Sequence, residues 1–162
     1  MPNKIYRAVE TSITFQDSGG DAVITLQGLG YGAGRISAQY DRGAGSKPAR
    51  YNWKAVFQYA SAPQVGETIE LYIAESDGTY VDGNVGTADA ALTSDKRKNL
   101  TLIGLVIVDT TAADTNIIAS GICHIWQRYF SLGVWNASSG DNLKNTANAS
   151  KVIFTPMPDE VQ

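Results

Sequence analysis

The chain has 162 residues, a formal net charge of -3 and a pI near 5.0, with 43% apolar and 18% charged residues. That apolar share can fill one packed core and excludes a disordered tail protein. The acidic balance excludes nucleic-acid binding through a basic face, which needs clustered Lys and Arg.

A single cysteine, Cys123, rules out an intrachain disulfide and points to a reducing compartment of origin. The opening Met1-Pro2-Asn3-Lys4-Ile5-Tyr6-Arg7 carries no apolar leader core, so Sec export is not expected. The longest apolar run, Leu102 to Val108, falls far short of the ~20 residues that span a bilayer, so no membrane partner is expected.

A short strand is predicted over Ser12 to Phe15, and a second over Ala22 to Leu26 after the turn Asp17-Ser18-Gly19-Gly20. Gly28-Leu29-Gly30-Tyr31-Gly32-Ala33 fits a phosphate-loop pattern by letter. A phosphate loop must open a helix, however, and Arg35 to Asp41 alternates as a strand, so the segment reads as a tight loop. Arg42-Gly43-Ala44-Gly45-Ser46 breaks the chain again.

The clearest strand follows. Tyr51, Trp53, Ala55, Phe57 and Tyr59 fall on one face, and Asn52, Lys54, Val56 and Gln58 on the other, the period of a half-buried strand. Glu67 to Glu75 repeats the pattern, with Ile69, Leu71 and Ile73 on one face.

The stretch Asp77 to Asn99 is long, polar and Asp-rich, with a helical possibility at Thr87 to Leu92. It is expected to project from the domain and contact a neighbour, with Lys96-Arg97-Lys98 as a solvated loop. Asp77, Asp82, Asn84, Asp89 and Asp95 do not match calcium-loop spacing and read first as turn residues. Leu100 to Val108 reads as a central strand covered on both sides. Asn116 to Tyr129 reads as a long strand bent near Gly121, Phe130 to Trp135 continues it, and Lys151 to Thr155 closes the fold.

About eight or nine strands without crossover helices predict an all-β fold. The expected architecture is an antiparallel β-sandwich of jelly-roll type, a single domain over residues 1–162 with arms at 1–8 and 156–162. Pro156 and Pro158 should end the last strand. An immunoglobulin-like sandwich is the alternative, but its Cys…Trp…Cys spacing is missing.

Chemistry is sparse. Cys123 and His124 are adjacent, yet neighbours on a strand face opposite sides and cannot form a dyad. With one His and one Cys, a zinc site is not expected, and His124, in register with Ile122 and Trp126, reads as a packed or interfacial residue. No catalytic, cofactor-binding or metal-binding residue is assigned, and the chain is not expected to be an enzyme. Asn99, Asn136 and Asn148 head glycosylation sequons that read as chance matches without a leader. The aromatic set exceeds what one small core needs, and Tyr and Trp favour interfaces. Tyr31, Tyr80, Trp126, Tyr129 and Trp135, with Met157 and Val161 of the C-terminal arm, are the interface candidates. The same surplus suggests a symmetric oligomer, a homotrimer first.

The run Gly34-Arg35-Ile36-Ser37-Ala38-Gln39-Tyr40-Asp41-Arg42-Gly43-Ala44-Gly45, the turns Ser76-Asp77-Gly78-Thr79 and Asp82-Gly83-Asn84-Val85-Gly86-Thr87-Ala88-Asp89, and the ending Thr155-Pro156-Met157-Pro158-Asp159-Glu160-Val161-Gln162 resemble small virion proteins of tailed bacteriophages. The resemblance implies a capsid decoration or auxiliary protein, made in the host cytoplasm and placed on the capsid surface beside the major capsid protein. Its motifs are loops and turns, so no functional residue carries over. A receptor- or carbohydrate-binding module of a fibre or tail is the alternative.

Overall fold

The strand read around Trp53 is the spine of one of two sheets. The computed structural model describes residues 11–138 and 140–157. In it β5 (Arg50–Phe57) buries Tyr51, Trp53, Ala55 and Phe57 and turns Lys54 outward. On one side of it lies β9 (Ile117–His124), and on the other β11 (Lys151–Pro156), then β1 (Ile13–Gln16) and the two-residue β2 (Ala22–Val23). The second sheet runs β7 (Ala90–Leu92), β3 (Ala33–Ile36), β10 (Tyr129–Asn136), β6 (Thr68–Ser76) and β8 (Thr101–Ile107), with β4 (Tyr40–Asp41) also paired to β10. Every pairing is antiparallel except that of β1 with β2. The protein is an all-β sandwich.

Alternation supplies the core. Ile69, Leu71 and Ile73 of β6 and Phe130, Leu132 and Val134 of β10 meet Phe15, Tyr51 and Phe154 of the opposite sheet. The rings of Phe15, Phe130 and Phe154 lie 5.5–5.7 Å apart in tilted or edge contacts, the geometry aromatic quadrupoles favour. Trp53 fills the side where β8 and β9 run alongside each other. A Cβ on Gly121 would come within 2.5 Å of its ring, and one on Gly104 would overlap it. Both positions are glycine because the indole occupies that space.

Three expectations are corrected. First, the excursion 77–99 does not project; it folds back over the outer face of the six-stranded sheet. Val85 and Leu92 are buried with Ile36 and Ala74 in a second small cluster. The residues read as a possible helix include β7, whose Ala90 and Leu92 pair with Ile36 and Gly34. Edge pairing satisfies the backbone while burying Leu92, and a single short helix could not do both. Among the described residues the α-helix that does form is the one turn Ser94–Arg97, whose Lys96 amide donates to Thr93 Oγ1 at 3.3 Å.

Charge ties the excursion down. Arg35 donates twice to Asp89, at 2.8 and 2.7 Å, and Thr25 donates there too. Burial pushes the Asp89 carboxyl up, but those hydrogen bonds outweigh it and leave its pKa lowered. Arg97 donates to Glu70 at 2.7 Å and lies 4.2 Å over the Trp135 ring. The basic triplet is therefore not simply a solvated loop.

Second, β8 is an edge strand, not a central one, and its Leu102, Leu105 and Ile107 are exposed. Third, β9 runs unbroken through Gly121 and ends at His124; the chain turns at residues 125–128. Pro156 ends β11 as read, and the Met157 amide still donates to the Arg50 carbonyl at 2.8 Å. The expected 1–8 arm and Val161 lie outside the described residues. Among the described residues no helix is long and apolar enough to cross a membrane.

Candidate binding surface around Trp126

Trp126 is 72% exposed on the turn between β9 and β10, and the backbone on which it stands is fixed from two sides. On the inner side is Arg42, only 6% exposed. Its Nη1 donates to the carbonyls of Ile125 and Gln127, each at 3.0 Å, and its Nη2 donates to the Pro48 carbonyl. The guanidinium also lies 5.2 Å over the Tyr51 ring. From β6, Glu75 Oε2 accepts from the amides of Trp126 and Gln127, at 2.7 and 2.6 Å. A buried guanidinium is costly unless its donors are satisfied, and here the turn carbonyls satisfy them. Arg128 closes the turn with two 2.7 Å hydrogen bonds to Asp41. Those bonds, with the Gly43 amide and the charges of Arg128 and Lys47, hold the Asp41 carboxyl at a pKa of about 2.

Trp126 and Glu75 form the wall between two depressions. One, of about 340 Å³, is lined by Ser76, Asp77, Tyr80, Asp82 and Gln127. The other, of about 300 Å³, is lined mainly by Leu102, Ile103, Ile122 and His124. The His124 ring stacks on the indole, centroids 5.6 Å apart and planes within 9°, as the shared register of residues 124 and 126 allows. Tyr80, 79% exposed, stands across the first depression.

The carboxylates here build turns. Asp77 Oδ1 accepts from the amides of Tyr80 and Thr79, which lowers its pKa, and Asp82 Oδ2 accepts from the Glu75 amide at 3.0 Å. Cys123 and His124 point to opposite faces of β9, as read. Burial, with Glu75 adding to it, pushes the Cys123 thiol up to about 12, far from the thiolate a nucleophile needs. Among the described residues no group of three or more His, Cys, Asp and Glu is placed to hold a metal ion. The glycine loop at 28–34 leads into β3, not into a helix. The arrangement is suited to recognition: stacking on the indole, burying apolar surface beside it, and accepting hydrogen bonds across the acidic depression.

The structure brings only some of the interface candidates together. Tyr80 and Trp126 share a depression, and Tyr129 packs nearby against Gly78 and under Arg128. Tyr31 is exposed on the glycine loop before β3. Trp135 is half-buried beneath Arg97 on the outer face of the six-stranded sheet, and Met157 is half-buried. Sequence reading missed Arg42 and Glu75, which build the turn, and the exposed Ile118 and Ile122 of β9. The one available signal was apolar character on both faces of β9, in the pairs Ile117-Ile118 and Ile122-Cys123.

No protein-family model matches the chain, and no curated protein matches it.

Proposed function

We propose that this chain is a structural protein of a tailed-phage virion that binds the outer capsid surface, beside the major capsid protein and further copies of itself, and stabilises the head. The observation that carries the reading is Trp126. A buried arginine and a glutamate are spent on fixing the backbone that carries one exposed indole, and the His124 ring stacks on that indole. A rigid, exposed Trp loses little entropy on binding and is the residue type that dominates protein interfaces.

The strand order supports the reading. β1 pairs with β11, β3 with β10, β5 with β9 and β6 with β8, so four antiparallel pairings nest along the chain. They lay β1-β11-β5-β9 over β3-β10-β6-β8. We read this order as a ribbon rolled into a jelly roll, an architecture that viral capsid domains use. Together with the resemblance in the loops, it favours a virion role. Burying area between neighbouring capsid subunits would resist their separation under the pressure of packaged DNA.

Quantitative mass spectrometry of purified virions tests the assignment. Hundreds of copies per particle are expected of a decoration protein; a few tens or fewer would place the chain at a vertex or tail and reject it. One observation favours a second reading, a carbohydrate- or receptor-binding module. Tyr80 and Trp126 flank a depression whose other walls are polar, as a sugar ring requires. Isothermal titration with a panel of host-surface glycans, lost in Trp126→Ala, would support that reading instead.

A further inference from the structure

The four ends of the two sheet orders are unequal. β2 and β7 have only two and three residues. β8 and β9 have seven and eight, and they run side by side along one flank of the sandwich. Long open edges are usually blunted by Lys, by Pro or by inward charge. Neither strand holds Lys, Arg, Asp, Glu or Pro. The flank instead exposes Leu102, Leu105 and Ile107 of β8 and Ile118 and Ile122 of β9, the last two 54% and 53% accessible. The two sets lie on the outer faces of different sheets and meet where Leu102 and Ile122 line one depression, an exposed apolar patch of the kind that marks an interaction site.

The identity of the occupant follows from β9 itself. Around Ser120 the strand reads alike in both directions. Ala119 and Gly121 are small, Ile118 and Ile122 are exposed on the outer face, and Ile117 and Cys123 are buried on the inner one. Two identical strands placed antiparallel about a two-fold axis at Ser120 therefore oppose like with like. Ile118 meets Ile122 of the partner subunit on the outer face, while Ala119 meets Gly121 of the partner subunit on the inner one. An edge strand that matches its own copy in this way needs no second kind of partner.

We propose that β9 pairs antiparallel with β9 of a second copy about a two-fold axis at Ser120, joining two five-stranded sheets into one. Leu102 and Ile103 of β8, which line one depression with Ile122, border the contact on the neighbouring sheet. The pairing is two-fold, unlike the three-fold ring suggested by the aromatic surplus. It does not depend on the capsid reading, because it forms in solution without any capsid.

The test uses the full chain in analytical ultracentrifugation at high micromolar concentration. A dimer is expected. Ile118→Lys with Ile122→Lys sets like charges opposite each other across the axis and should weaken association on the order of a hundredfold, with the far-ultraviolet circular dichroism kept. Should that variant misfold, Ser120→Cys in a Cys123→Ala background gives a second measurement. Opposed Cα atoms in an antiparallel pair lie about 4.5–5.5 Å apart, inside the range a disulfide bridges. Mild oxidation should convert most of this protein to a covalent dimer, while Ser46→Cys in the same background, on the exposed loop before β5 and off the β9 edge, should not respond. A monomeric or trimeric wild type, a dimer indifferent to the lysines, or a Ser120→Cys protein that does not cross-link would each overturn the proposal.

Discussion

Replacing Arg42 with Met tests whether the buried guanidinium builds the Trp126 turn. Met keeps an unbranched apolar stem but has no donor. The carbonyls of Ile125, Gln127 and Pro48 would each lose a charged hydrogen bond. Leaving a buried acceptor unsatisfied costs ~1–3 kcal/mol. Three such losses set an upper range of several kcal/mol, and removing the buried charge returns part of it. The balance is about 3 kcal/mol. Urea unfolding of a chain of this size, with an m-value of about 2 kcal/mol/M, should then show a midpoint lower by about 1.5 M. Fluorotryptophan NMR supplies a local readout, since the chain has three Trp residues: Trp53, Trp126 and Trp135. The Trp126 resonance should move and narrow as the turn loosens, and the Trp53 resonance should stay. Arg42→Lys, which keeps one charge but not the fork of donors, should fall between. A stability loss under about 1 kcal/mol, with the Trp126 resonance unmoved, would refute the reasoning.

Three further outcomes follow from the packing and the charges. Gly121→Ala should cost about 1–3 kcal/mol by driving a methyl into Trp53, and Trp53→Phe in the same chain should recover part of that loss in a double-mutant cycle; simple additivity would show that the ring is not the obstacle. The Asp89 carboxyl has a folded pKa below its unfolded value, so its contribution is present above the unfolded value of about 3.9 and lost as pH falls through the folded one. Asp89→Asn should therefore lower the melting temperature at neutral pH and flatten its fall below pH ~4, and an unchanged acid limb would exclude the Arg35 pair as a source of stability. Cys123, buried and with its thiol raised to about 12, should react with a thiol reagent at pH 8 only at the rate of unfolding; fast labelling of the native protein would contradict its burial.

How far the sequence could be read depends on how local each cause is. The alternation in β5 and β6 identified both inner faces correctly, because a strand of period 2 with one polar face has only one way to lie on a core. The apolar run of β8 was misread for a related reason. A strand apolar on both faces looks the same whether a layer covers its second face or it lies at a sheet edge with that face exposed. The segment 87–92 misled because its Ala residues favour a helix, while the decisive fact, the open edge of β3, lies more than fifty residues upstream. At the site, the shared register of His124 and Trp126 was legible, since it spans two residues. The convergence of Arg42, Glu75 and the 125–128 turn was not, because only the nesting of strands brings three distant segments to one end of the sandwich.

The central claim is that Trp126 anchors this protein to a capsid. Cosedimentation with capsids lacking the protein tests it most directly, comparing the wild type with Trp126→Ala after both are shown to be folded. The account predicts saturable binding of the wild type at many copies per capsid, and an affinity lower by about thirtyfold or more in the variant, the effect of losing a central tryptophan from an interface. No binding by the wild type, or equal binding by the variant, would contradict it.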